Sequence, residues 1–485
     1  MLLRSTLILL VLATVVTAGS PQAAGALGAN GEWSGTYTLA GGKDAVAVTV
    51  AGRGATVGLG AGHASVQDVR VTRRGSAVRF ALPGRPSALT FSGRLVRGRL
   101  TGTVRLGSGR GTFSLRRGQA PGVVARGLYG SDGRLAVVDD PFGPARLVDL
   151  GSGEVHALYP AGRAFRIGSG FATRDPVVGT ATFSVAAARV HGASAPRVTP
   201  QQLEVRFGSG DAVLAGTLTL PPGAGPHPAV AWVHGSGFTN RAYLPDLPAL
   251  LVHHGVAVLA YDKRGVGQST GTYPGESPTQ GAIDVLAGDA AAAVRFLAAQ
   301  PEVDAGRVGL AGHSQAGWIM PLAASREPAV RFLVAFSGPA VTADENDVYQ
   351  DLSGAGERPA QLSDDQIDAE VLRRGPSGYD PLPSIRSLAI PSLWVYGGRD
   401  RHIPPRLSAR RLAAVAAEPG GDLTVAVFPN ANHALVETQT GLTEEMLRSS
   451  TFAPGLFASV GSWLASHRLG TQGAFAKPDR VDWSS

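Results

Sequence analysis

Hydrophobic periodicity changes once along this 485-residue chain, near Thr199, and the change separates what folds as sheet alone from what needs sheet and helix together. Before it, alternating stretches at 45–50, 78–82 and 100–104 are separated by Gly-rich turns. Period two with frequent Gly predicts antiparallel sheet. Residues 27–118 are therefore expected to form a small barrel or sandwich, and 119–199 a β-rich second segment that continues the first module or links it onward. Beyond Thr199, apolar runs at 203–207, 213–220, 229–233, 257–261, 308–311, 332–336, 392–396 and 423–428 read as eight strands. Between two of them Ile283, Leu286, Ala290, Val294 and Leu297 recur every three or four residues, so 281–300 is an amphipathic helix with one buried face. Strands alternating with helices predict an α/β domain over 200–470, built on an eight-stranded, mainly parallel sheet covered on both faces, with a tail at 471–485.

Composition narrows the chemistry. There is no cysteine, which removes disulfides, thiol nucleophiles, iron–sulfur clusters and thiolate zinc sites, so a nucleophile must carry oxygen or nitrogen. The net charge of +7 divides unevenly: residues 27–200 carry 22 basic and 9 acidic side chains, residues 201–485 carry 21 and 28. A basic β-module thus precedes an acidic domain. Arginine-rich stretches such as 94–105 suit attachment to an anionic polymer or membrane surface. No recognition motif or aromatic-basic platform accompanies the charge, which argues against nucleic acid.

The first residues read as an address. Arg4 precedes an apolar run over 7–16, then small residues at Thr17, Ala18 and Gly19 and again at Ala23, Ala24, Gly25 and Ala26. That is the layout of a secretory signal peptide over 1–24, with cleavage near Ala24, or alternatively near Ala18. The run falls short of the roughly 20 residues that span a bilayer, and an uncleaved anchor is the alternative. Without cysteine there is no lipoprotein anchor, and a single Arg ahead of the run is no twin-arginine signal.

Three loops carry the chemistry. The strand candidate at 308–311 runs into Gly312-His313-Ser314-Gln315-Ala316-Gly317 and then an apolar helical stretch, the strand, sharp turn and helix that a serine nucleophile requires. Gly312 and Ala316 supply the small residues that let strand and helix approach, although Ala316 stands where the usual Gly-x-Ser-x-Gly pattern has glycine. After 392–396 comes Gly398-Arg399-Asp400-Arg401-His402, and after 423–428 comes Asn430-Ala431-Asn432-His433. Ser314 as nucleophile, His433 as base and Asp400 as its orienting acid follow in the chain order Ser, Asp, His. His402 shares the acid loop and is the nearest rival base. His234-Gly235-Ser236-Gly237, after 229–233, supplies a second donor loop; backbone N–H groups of Ser236 and Gln315 are assigned to an oxyanion hole, with Gly237 the rival to Ser236 and His234 a buttress. Asp262, in Tyr261-Asp262-Lys263-Arg264-Gly265, reads as a turn-pinning residue.

Taken together, the segments AGTLTLPPG, VAWVHGSG, AVLAYDKRGVGQSTG, GHSQAGW, WVYGGRDRHIP and NANH resemble the α/β-hydrolase superfamily, and within it bacterial serine hydrolases similar to prolyl-oligopeptidase-like and serine-aminopeptidase-like esterases, several of which carry an extra N-terminal β-module. The resemblance covers residues 201–470. It implies cofactor-free hydrolysis of a small carboxylic ester, thioester or amide, with a carboxylesterase for short or medium acyl chains as first expectation, an exported peptidase or amidase as second, and a surface-binding protein with an inert hydrolase domain as third. The insertion at 342–390 is expected to form a partial cap, with Trp318 and Tyr379 near the acyl pocket.

Overall fold

The structure is a computed structural model that describes residues 30–470 apart from 40–41, 60–64, 118–125, 139–143, 162–163, 185 and 199. The expected signal segment and the tail at 471–485 lie outside the described residues.

The first β-module resolves the expectation of barrel or sandwich in favour of a barrel. Eight antiparallel strands, from Gly31–Leu39 to Gly109–Arg117, close on each other. Alternation drives the closure, because every second side chain points inward. In the strand Ala77–Leu82, Val78, Phe80 and Leu82 are buried while Arg79 is exposed. Phe91 sits at the middle, stacked on Phe80 at 4.9 Å and edge-on to Phe113 at 5.3 Å and Tyr37 at 5.5 Å.

The second segment is neither a continuation nor a linker. Eight short strands, from Gly127–Tyr129 to Ala193–Val198, close into a barrel of their own. Its small interior is filled by Tyr129, Leu147, Leu158 and Ile167. Its other face merges with the following domain: Leu128, Val138, Val148 and Val155 share one apolar cluster with Val230, Trp232, Leu250, Phe452 and Phe457. Arg146, 1% exposed, pairs in the same seam with the buried Asp246, its guanidinium 4.2 Å from the centre of the Phe171 ring. Such a buried pair adds little net stability, but any other docking would strand a charge away from water, so it fixes how barrel and domain meet.

The third unit carries a sheet of nine strands in the order Leu423–Phe428, Ser392–Gly397, Leu333–Phe336, Val303–His313, His227–Val233, Ala257–Tyr261, Ala212–Leu220, Gln201–Ser209 and Gly84–Arg85. The first six run parallel, and Ala212–Leu220 is antiparallel to both of its neighbours. The expected count of eight is corrected by the ninth strand: a two-residue edge lent by the first barrel, too short for any periodicity to mark. Arg85 in that edge donates to Glu302 at 2.5 and 2.8 Å and to Gln300 at 2.6 Å, tying the barrel to the sheet.

Among the described residues nine helices follow in order: α1 Asp246–His253, α2 Gln280–Ala298, α3 Ala316–Arg326, α4 Ala343–Ser353, α5 Asp364–Arg374, α6 Leu382–Arg386, α7 Pro405–Ala416, α8 Thr443–Arg448 and α9 Leu456–Ser466. Helix α2 matches the periodic stretch: Ile283, Leu286, Ala290, Val294 and Leu297 are all buried, and the Thr279 side chain accepts from the Ala282 N–H, a cap contributing about 1 kcal/mol.

Helices α4, α5 and α6 make up the insertion. Capping boxes start the first two, Thr342 with Glu345 and Ser363 with Gln366. Their polar contacts run to the loop after Ser392–Gly397 and to α7, a holding role that the expectation of a partial cap did not include. Tyr349 Oη donates to the Asp400 carbonyl at 2.6 Å, Gln350 to the His402 carbonyl at 2.9 Å, and Ser353 to the Arg401 carbonyl at 2.7 Å. Arg411 of α7 donates to both carboxylate oxygens of Glu345 at 2.6 Å. The insertion is a clamp on the acid loop.

Candidate active site

The three predicted triad residues and Ser236 stand just beyond the C-terminal ends of parallel strands: Ser236 after His227–Val233, Ser314 after Val303–His313, Asp400 after Ser392–Gly397 and His433 after Leu423–Phe428. Open α/β sheets build their sites on that rim.

Ser314 adopts φ 58°, a left-handed conformation costing a non-glycine residue about 1–3 kcal/mol. Surrounding bonds hold it there. Its N–H donates to the Phe336 carbonyl at 3.0 Å, and the Gly317 N–H donates to its carbonyl at 2.9 Å. Steric room explains the neighbours. A Cβ at Gly312 would stand 2.4 Å from the Val233 oxygen and 2.6 Å from the Ala316 Cβ, and one at Gly317 would stand 2.6 Å from the Gly338 backbone. Ala316 is therefore accommodated because Gly312 faces it, and the close approach of α3 to the Gly338 turn falls to Gly317.

The structure brings the three predicted residues into succession. His433 Nε2 lies 3.0 Å from Ser314 Oγ, and His433 Nδ1 lies 2.7 Å from Asp400 Oδ2. The other carboxylate oxygen of Asp400 accepts from the His402 N–H at 2.7 Å and the Ile403 N–H at 3.0 Å. Asp400 is fully buried, and burial raises its carboxyl to about 6, while the two amides and nearby imidazoles pull the other way. Burial also holds His433 below its ordinary 6.5, which leaves it neutral and able to accept a proton at neutral pH. The rival His402 contributes its backbone N–H to Asp400 and packs its ring 4.7 Å from that of His433. His313 packs its ring 4.6 Å from that of His433 and bonds the His433 carbonyl through Nε2 at 2.9 Å. Both flanking rings are themselves held neutral by burial, His402 at about 4 and His313 at about 3.

Gln315 follows the nucleophile in the chain, and Ser236 follows Gly235, whose backbone lies against it. Among the described residues no hydrogen bond uses the backbone N–H of either. The Gly235 backbone lies against Ser314, where an added Cβ would come 3.2 Å from the serine Cβ. The expected buttress is in place: His234 Nε2 bonds the Tyr261 carbonyl. Asp262 pins its turn as expected, accepting from the Gln268 N–H at 2.9 Å. It also takes Arg241, which no sequence signal marked and which bridges Asp262 to Glu204.

The assignment of Trp318 and Tyr379 to the acyl pocket is corrected for Trp318. Its indole is 5% exposed and donates to the Val341 carbonyl at 2.9 Å, and Tyr379 Oη donates to the Trp318 carbonyl at 3.1 Å. These rings fasten the insertion to α3. Tyr379 also lines a cavity with Gln280, Asp344 and Asp347. Proximity in sequence to Ser314 suggested otherwise, because spacing does not reveal which side of α3 an aromatic ring takes.

Comparisons with known proteins match parts of the chain. The family model described as serine aminopeptidase, S33 matches residues 224–361. Esterase EstD of Thermotoga maritima is 27% identical over 280 residues, spanning 52% of this chain and 65% of that protein, just under two thirds of its length. An uncharacterized protein of Mycobacterium tuberculosis is 31% identical over 228 residues, 47% of this chain and 71% of that protein. A solved Pyrococcus furiosus esterase is 20% identical and covers 55% of this chain and 91% of its own, with a TM-score of 0.39. The chain belongs to the α/β-hydrolase superfamily.

The packing of the turn yields a stability prediction. Gly312→Ala is expected to lower stability by about 1–3 kcal/mol through overpacking. Pairing it with Ala316→Gly restores little, because the Val233 carbonyl still blocks the new methyl. Thermal unfolding of the two variants checks this; a Gly312→Ala protein as stable as the native one contradicts the steric account.

Proposed function

We propose that the protein is an exported serine hydrolase that cleaves carboxylic esters of short or medium acyl chains through an acyl-enzyme on Ser314. The observation that carries this reading is the succession Ser314 Oγ, His433, Asp400 at 3.0 and 2.7 Å. His433 Nε2 takes the hydroxyl proton as Oγ attacks the acyl carbon, and Asp400 stabilises the imidazolium through Nδ1. The N–H groups of Ser236 and Gln315 receive the negative charge that develops on the carbonyl oxygen, each commonly supplying about 3–4 kcal/mol. Collapse expels the alcohol, which takes the proton from His433, and water then repeats the sequence on the acyl-serine.

The peptidase or amidase reading is kept because the matching family model is described as a serine aminopeptidase. A panel of p-nitrophenyl esters beside aminoacyl p-nitroanilides separates the two. Esters are expected to turn over, Ser314→Ala to abolish turnover while the protein stays folded, and kcat/KM to hold through pH 6.5 and fall only on stronger acidification, as His433, brought down to about 3 by burial, gains its proton. Turnover of anilides alone contradicts the ester assignment.

Export rests on the apolar segment over 7–16 and the small residues after it. Among the described residues no helix is long and apolar enough to cross a membrane. For the first barrel we propose attachment to an anionic polymer outside the cell. From Ala77 to Arg117 the chain has nine arginines and no Asp or Glu. Register places Arg99 opposite Arg116 and Arg105 opposite Arg110, all exposed, with Thr101 opposite Ser114 and Thr103 opposite Thr112 between them. Directly opposed like charges destabilise a sheet, and an anionic ligand offsets that repulsion. The face presents hydroxyls where a membrane-inserting surface presents aromatic rings. Salt-sensitive retention on immobilised heparin is expected, and its loss in the Arg99→Ser/Arg105→Ser/Arg110→Ser/Arg116→Ser protein. Passage of the native protein unretained at low salt, or retention by anionic vesicles alone, contradicts the proposal.

A further inference from the structure

One buried charge in the site is not used by the triad. Lys263 is 3% exposed, and among the described residues it makes no ion pair. Its ammonium donates instead to the carbonyls of Gly235 and Gly237, the latter at 3.1 Å, and to the side-chain oxygen of Gln315 at 3.4 Å. It also stands 5.3 Å from the centre of the Tyr273 ring. Removing an ammonium from water costs several kcal/mol, and burial brings Lys263 down to about 7. An apolar residue would fill the same space without that cost, so the choice of acceptors calls for a reason.

The acceptors belong to the two residues pairs that present the oxyanion donors. The Gly235 carbonyl and the Ser236 N–H are opposite ends of one planar trans peptide, so they point in opposite directions. A cation fixed on the oxygen sets the plane of that peptide, turns the N–H away from itself, and withdraws electron density from the nitrogen end. Gly237, at φ 87°, lies in a backbone region open to rotation, and its carbonyl is held by the same ammonium. Through Oε1 the ammonium also holds Gln315, whose own N–H is the second donor. One side chain therefore ties a loop after His227–Val233 to the first turn of α3.

We propose that Lys263 is the positioning residue of the oxyanion hole, joining its two donor segments and polarising the Gly235–Ser236 peptide toward the developing charge. This rests on the acyl-enzyme reading and says which residue outside the triad sets its rate. An anchor lost in this way costs less than a donor lost outright. Misplacement by about 1 Å lowers rates up to about 100-fold.

The test compares native protein with Lys263→Met, and with Lys263→Gln where the methionine variant does not fold, using a p-nitrophenyl ester and an alkylboronic acid that becomes a tetrahedral anion on the serine. For Lys263→Met we expect kcat to fall about 10- to 100-fold with KM unchanged, and boronate affinity to weaken by a similar factor. Lys263→Gln, still able to donate one hydrogen bond, is expected to fall less. Because the chain has no cysteine, Lys263→Cys offers a single thiol for aminoethylation, which rebuilds a near-isosteric ammonium and is expected to restore most of the rate. Unchanged kcat and boronate affinity in a folded variant, or a defect confined to KM, overturns the role of Lys263. Native protein inert toward ester, anilide and boronate alike overturns the acyl-enzyme reading instead.

Discussion

A serine held in a left-handed turn is the constraint on which the site depends. At φ 58° Ser314 leaves the direction of its strand and turns its hydroxyl toward His433 at the sheet rim, and nothing in the residue itself favours that conformation. Its stability comes from elsewhere: the hydrogen bond to Phe336 on the neighbouring strand, the missing side chain at Gly312, and the contact of Gly317 with Gly338. The roughly 1–3 kcal/mol of strain is spread over two strands and a helix, so the turn is rigid while the side chain it presents stays reachable.

Asp400 and His433, which follow Ser314 in hydrogen-bonded succession, are steadied by units that lie outside the sheet. Helix α4 grips the Asp400 loop through three carbonyls, and Glu345 anchors that helix to α7. The loop bearing His433 continues into a segment that bonds to the second barrel: Val155 donates to the Ser450 carbonyl at 2.8 Å, and Glu437 donates to the Thr451 carbonyl at 3.0 Å. Backbone hydrogen bonds thus run from that barrel to within a few residues of the base. The second barrel is a structural part of the unit that carries Ser314, Asp400 and His433, whereas the first touches it through the Gly84–Arg85 edge, Arg85 and the Tyr37–Gln268 contact, leaving its arginine face open.

Much of this was legible in the residues because it depends on pattern. Strand and helix periods located the α/β domain, and the loops after 308–311, 392–396 and 423–428 marked Ser314, Asp400 and His433, since chemistry of this kind needs those residue types at strand ends. What stayed hidden depends on partners that carry no period. Gly84–Arg85 is a strand only because Gln201–Ser209 lies beside it. The strands of the second barrel, some only three or four residues long, gave turns and apolar residues but not closure. Tyr349 acts on a main-chain oxygen, and Lys263, sitting inside a motif read for Asp262, acts on two more. The direction of Trp318 follows from how α3 packs, which spacing near the serine does not encode.

The most direct measurement of the central claim is covalent labelling with a fluorophosphonate followed by peptide mapping. An activated serine reacts in the folded protein, so the label is expected on Ser314, with reaction lost on unfolding and strongly slowed in His433→Ala. Label on another residue, or a folded native protein whose Ser314 stays unmodified, would contradict the account.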